Sequence, residues 1–135
     1  MTPPANQTAP SLDDIGAMAR AAWEELPHAF RAMAGEIVFR IEDFASDDIL
    51  SELGVEDPFE LSGLYQGVDL TQHSIMDPAP PTPMVFLYRR AILDEWIERG
   101  DVSLAKLVAH VLVHEIGHHF GLSDEQMDAI LDAAD

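Results

Sequence analysis

The sequence predicts one α+β domain, a small sheet with several helices, and three observations carry that expectation. At 135 residues the chain has the length of one domain built on one hydrophobic core. Its 47% hydrophobic share is that of an ordinary folded protein. Stretches with apolar residues at helical spacing are interrupted by stretches in which apolar and polar residues alternate. No internal repeat, coiled-coil heptad or second domain is visible. The domain is expected to span residues 11–135. Residues 1–10, with three prolines and no apolar period, are expected to form a disordered tail.

Taken in order, Ser11 followed by Asp13 and Asp14 reads as a helix start, with a side-chain cap and acids in the first turn. Ile15, Ala19, Ala22 and Leu26 recur at helical spacing, with Met18 and Trp23 beside the stripe. Pro27 kinks or restarts this helix, and Gly35 ends it. Residues 36–42 alternate, with Ile37, Phe39 and Ile41 on one face and Glu36, Arg40 and Glu42 on the other, as in a half-buried strand. Ser46 with Asp47 and Asp48 opens a short helix that reaches about Leu53 and stops at Gly54, before a turn at Asp57 and Pro58.

Residues 61–65 and 68–74 read as short strands joined near Gly67. The four prolines of residues 78–83 exclude a regular element. The apolar run Met84–Tyr88 has strand length; at a sheet edge it would bind an extended peptide by strand addition. Ile92, Leu93, Trp96 and Ile97 then make a short amphipathic helix ending at Gly100. Asp101 or Ser103 caps a helix over 104–120 whose Leu104, Leu107, Val108, Val111, Leu112, Val113 and Ile116 predict burial. Gly121 is its natural left-handed terminator. Ser123 with Gln126 matches a capping box, opening a last helix that carries Met127, Ile130 and Leu131.

Composition narrows the function classes. With 25 acidic against 7 basic residues the formal charge is −18, which repels duplex DNA and anionic membranes. The same charge favours solubility, and basic peptides or metal cations as ligands. Arg89 and Arg90 are the only adjacent basic pair, too little for a nucleic-acid footprint. No run approaches the roughly 18 apolar residues of a membrane helix, and the start lacks the pattern of a secretory signal. There are no cysteines, so nitrogen and oxygen are the only metal ligands on offer. A cytoplasmic protein is the expectation.

Residues 114–124 read His-Glu-Ile-Gly-His-His-Phe-Gly-Leu-Ser-Asp. On a helix His114 and His118 lie about one turn apart and project from one face, where two neutral imidazoles can reach one zinc ion. Glu115 stands one residue off that line, placed to take a proton from water activated by the metal. Gly121 lets the backbone leave the helix, so Asp124 can swing back as a third ligand and leave a fourth position open to water. Asp124 also suits the first turn of the next helix, where an acid meets the dipole; one residue can fill both roles. His119 reads as a surface residue or one lying behind the ligands. His110, a turn before His114, is a rival ligand, although the helix drifts roughly 40° every four residues. Tyr65 and Tyr88 are candidates to steady an oxyanion, with a place in the core as the plainer alternative. No motif surrounds His28 or His73.

With these residues placed, the chain resembles the small bacterial zincin-like "minimal metalloprotease" family. The resemblance rests on Leu64-Tyr65-Gln66-Gly67-Val68, Leu70-Thr71-Gln72-His73-Ser74, Phe86-Leu87-Tyr88-Arg89-Arg90, and residues 114–124 with Glu125. It implies a zincin core in which a small mixed sheet packs against the motif helix. It also implies one zinc per chain at His114, His118 and Asp124, with Glu115 as catalytic acid and base. The motif is similar to that of metzincins with aspartate for their third histidine, but no Met-turn follows, since Met127 falls in a predicted helix. The expectation is therefore a one-walled cleft, weak on generic unfolded substrates or completed by a protein partner. The function expected is a zinc-dependent peptidase acting on peptides or unfolded protein. Its rivals are a non-catalytic zinc-binding or adaptor protein, and a metal-dependent hydrolase of another amide or ester. Glu115 separates the first from the second, because a structural metal site needs no general base.

Overall fold

The structure, a computed structural model, describes residues 9–67, 82–123 and 125–126. Local capping chemistry sets most element boundaries. Helix α1 (Leu12–Glu25) opens on a full capping box, in which Ser11 Oγ accepts from the Asp14 amide and the Asp14 carboxylate accepts from the Ser11 amide. Pro27 caps α2 (His28–Ala34), and Gly35 closes it with φ 71°. Strand β1 (Val38–Glu42) follows, then α3 (Asp47–Leu53), capped by Ser46 and closed by the left-handed Gly54. A single 3-10 turn at Pro58–Glu60 leads into β2 (Gly63–Gln66). Strand β3 (Met84–Tyr88) runs directly into α4 (Arg89–Arg99), and Ser103 caps α5 (Leu104–His119).

The three strands make one mixed sheet in the order β1-β3-β2, with β1 parallel and β2 antiparallel to β3. The run Met84–Tyr88 is thus the central strand and not an edge, so strand addition to it is ruled out. Its composition has a physical reason. Val85 and Leu87 face the main core with α1 and α5, while Phe86 and Tyr88 face a second cluster with Ala45, Ala91, Leu61 and Leu64. A strand covered on both faces is apolar at every position, not alternately.

Helix α5 forms the floor of the main core. Leu107, Val108, Leu112 and Ile116 are fully buried against Ile15 and Ala19 of α1 and against Val85 and Leu87. Each such side chain stabilises the fold by roughly 1.5–3 kcal/mol relative to exposure. The expected apolar face of α4 is only partly used: Ile92 is buried, but Ile97 is 74% exposed.

Arg89, half of the basic pair, is absorbed by the fold. Its Nε donates to Pro10 O and its guanidinium to Asp43 Oδ1, which anchors the chain before α1. Arg90 lies over the Phe44 ring. No described helix is long and apolar enough to cross a membrane. The strand expected at 68–74, prolines 78–81 and the helix residues Met127, Ile130 and Leu131 lie outside the described residues. The tail is described only at its last two positions.

Candidate metal centre

The motif occupies the last turns of α5, and burial there changes side abruptly. Val111, Leu112, Val113, Ile116 and Gly117 are buried, whereas His114 and Glu115 are half-buried and His118 is exposed. One face of the helix is thus locked in the core, and the other presents two imidazoles and a carboxylate. His110 continues that stripe one turn earlier; it is exposed, and its ring lies 4.4 Å from that of His114. His28 opens α2 and is exposed, and His73 lies outside the described residues.

Strand β2 passes over this turn. At Gly63 a methyl group would stand 2.8 Å from Val111 Cγ1 and 3.1 Å from Glu115 Cγ, so only a residue with no side chain lets β2 seat there. The strand therefore runs close beside the aliphatic stem of Glu115.

Helix α5 ends as the glycine predicts. The Gly121 amide donates to His118 O, the Leu122 amide donates to Gly117 O at 2.9 Å, and Gly121 has φ 70°, a Schellman closure. Beyond it Ser123 and Gln126 form their capping box, with Ser123 N donating to Gln126 Oε1 and Gln126 N donating to Ser123 Oγ. Asp124, the expected third ligand, lies outside the described residues. Among those residues no group of three His, Cys, Asp or Glu side chains is placed to hold a metal ion.

The donors that are described suit a divalent cation of zinc's type, which takes imidazole nitrogens in tetrahedral sites. The His114 ring packs beside that of His110.

Of the two places expected for His119, on the surface or behind the ligands, the structure excludes the first. His119 is buried, 1% exposed, and shares that depth with the Tyr88 side chain. Its Nε2 lies 2.8 Å from Ala34 O, and its Nδ1 lies 2.7 Å from the Tyr65 hydroxyl. Spacing gives no sign of this, because its partners stand far away in the chain.

Tyr88, at the end of β3, is 1% exposed. Its hydroxyl is pushed up from the usual 10.0 to about 12, first by burial and then by the negative charges of Glu42 and Glu115. A raised phenol stabilises the fold fully below the unfolded-state value and loses that contribution as pH rises through the folded value. The window is therefore pH 10 to 12. At about 1.4 kcal/mol per pH unit, wild type should lose roughly 2–3 kcal/mol more than Tyr88→Phe across it. Denaturant melts at stepped pH measure this; parallel pH slopes for the two proteins would refute it.

A family model described as "zincin-like metallopeptidase" matches residues 34–133, which include β1 to β3, α3 to α5 and the whole motif. The chain belongs to the zincin-like metallopeptidase family. No curated protein matches it. The mixed sheet set against a motif-bearing helix agrees with a zincin-like fold. Helix α1 precedes the matched stretch, yet it packs on α5 and supplies Ile15 and Ala19 to the core beneath the zincin motif.

Proposed function

We propose that this zincin is a zinc-dependent peptidase. On this reading His114, His118 and Asp124 hold one zinc ion, and Glu115 is the general base. The observation that carries the reading is the turn of α5 in which two imidazoles and a carboxylate lie off the face locked in the core, close to strand β2. A structural ion would need the imidazoles but not the flanking carboxylate. Family membership supports metallopeptidase chemistry as the class.

When bound, zinc would supply Lewis acidity, polarising a substrate carbonyl and easing deprotonation of water. Glu115 accepts the proton of the attacking water and returns it to the leaving amine, so no net proton is consumed by the side chain. Its stem, held against β2 at Gly63, keeps the carboxylate in one place through both transfers. We do not assign Tyr65 as an oxyanion donor, because its hydroxyl is engaged with His119 Nδ1 at 2.7 Å. The substrates we infer are peptides or unfolded protein in the cytoplasm, and the acidic surface favours basic ones. A protein partner that completes the cleft belongs to the same reading.

The test is zinc content and hydrolysis of an unfolded protein pool, measured on one purified sample with and without chelator. One zinc per chain and chelator-sensitive cleavage would support the peptidase. Bound zinc with no turnover, alone or with added partner fractions, would leave the non-catalytic zinc protein. Absence of metal affinity would sink the reading.

A further inference from the structure

We infer that Tyr65 and His119 are positioning residues, a clasp that fixes the last turn of α5 and so aims His118; the inference rests on the reading of His118 as a metal ligand. A carbonyl oxygen only accepts, so the 2.8 Å contact to Ala34 O means that His119 Nε2 carries its hydrogen. In the neutral ring Nδ1 is then the acceptor, and Tyr65 donates to it at 2.7 Å. One imidazole thereby ties together the end of α2, the end of α5 and strand β2.

The site is built for this contact. His119 is 1% exposed, and an imidazole buried so deeply is costly unless both nitrogens are bonded, as they are here. An aliphatic side chain would fill the same space without that requirement, but it would add no directional bond to the apolar packing of the last turn. Two directional bonds set the rotation of the final turn. His118 is one residue away, about 100° around the helix, so its direction follows from that of His119. The rings pack as well: Tyr65 at 5.5 Å from His119, Phe120 at 5.6 Å from it, and Phe30 at 4.5 Å from Phe120. Gly67 keeps the hydroxyl's space clear, since a methyl there would stand 2.7 Å from Tyr65 Oη. The clasp thus holds the turn from which the chain departs through Gly121; partners bonded directly to a metal ligand typically change metal affinity by about 10–100-fold, an upper bound for a clasp that acts through the backbone.

Tyr65→Phe removes only the hydroxyl and is the decisive variant, with His119→Gln beside it. Zinc affinity is read by competition with a chromophoric chelator, well below the melting temperature of the metal-free protein. The expected result is a zinc affinity several-fold weaker in Tyr65→Phe, up to about 10-fold, with an unchanged far-ultraviolet spectrum. A lowered melting temperature with wild-type affinity would mean a structural contact only, and would overturn the inference while leaving the peptidase reading intact. A wild type with no affinity for zinc would remove both together. Nitrogen-15 spectra of the metal-free wild type give a test independent of metal and of variant folding. They should show His119 protonated at Nε2 and accepting at Nδ1; the opposite tautomer would overturn the clasp.

Discussion

Glu115→Gln is expected to abolish nearly all hydrolysis while leaving zinc in place. The substitution keeps the shape and the stem that packs beneath Gly63, and it replaces only the carboxylate that takes the proton. General-base catalysis contributes on the order of 10²–10⁴ in rate, so kcat should fall by about that factor. KM should move little, because the amide still fills the same space. Zinc content should match wild type, since residue 115 stands off the line joining His114 and His118 on the helix. Glu115→Asp withdraws the carboxylate by one methylene and should fall between the two, because misplacement of a catalytic group by about 1 Å can cost 10²-fold. A Glu115→Gln protein that turns over at the wild-type rate would end the general-base assignment. A Glu115→Gln protein that loses its zinc would instead move residue 115 onto the metal.

Such an experiment can be written from the sequence because the chemistry around residue 115 is local. The histidine spacing, the carboxylate beside it and the glycine that ends the helix all act within three turns of one element, and periodicity reads them directly. The helix boundaries are legible for the same reason: Ser11 with Asp14, Ser46 and Ser103 each bond to an amide three residues on. Strand order is not local. An apolar pentapeptide is consistent with several places in a sheet, and only pairing with both β1 and β2 puts Met84–Tyr88 in the middle. In hindsight the sign is present, for Val85 and Leu87 are matched by Phe86 and Tyr88 on the other face. His119 is hidden more thoroughly. Its partners lie 54 and 85 residues away, and a polar residue beside a polar motif looks like more of that motif. Ile97 errs in the opposite direction: it matches a helical stripe by spacing, but α4 turns that edge to solvent.

The same substitution, glycine to alanine, should have opposite signs at two positions of this fold. At Gly16, inside α1, the added methyl meets only Ile41 Cγ1 at 3.5 Å, an ordinary contact. Alanine there restricts the unfolded chain and suits a helix, so Gly16→Ala should stabilise by about 0.5–1 kcal/mol. At Gly63 the methyl would meet Val111 Cγ1 at 2.8 Å, Glu115 Cγ at 3.1 Å and the Phe86 carbonyl at 3.2 Å. Strand preference also favours alanine over glycine, but overlap with three neighbours outweighs it, and the cost should be about 1–3 kcal/mol. Relief requires β2 to lift from α5 or the Glu115 stem to turn aside, and either motion displaces the base. Activity should therefore fall about 10–100-fold with zinc retained, a larger loss than the stability change alone would produce in a protein that stays folded. Thermal melts and kcat on the two variants check this together. If Gly63→Ala is as stable and as active as Gly16→Ala, the close seat of β2 on the motif helix is not what holds Glu115 in position.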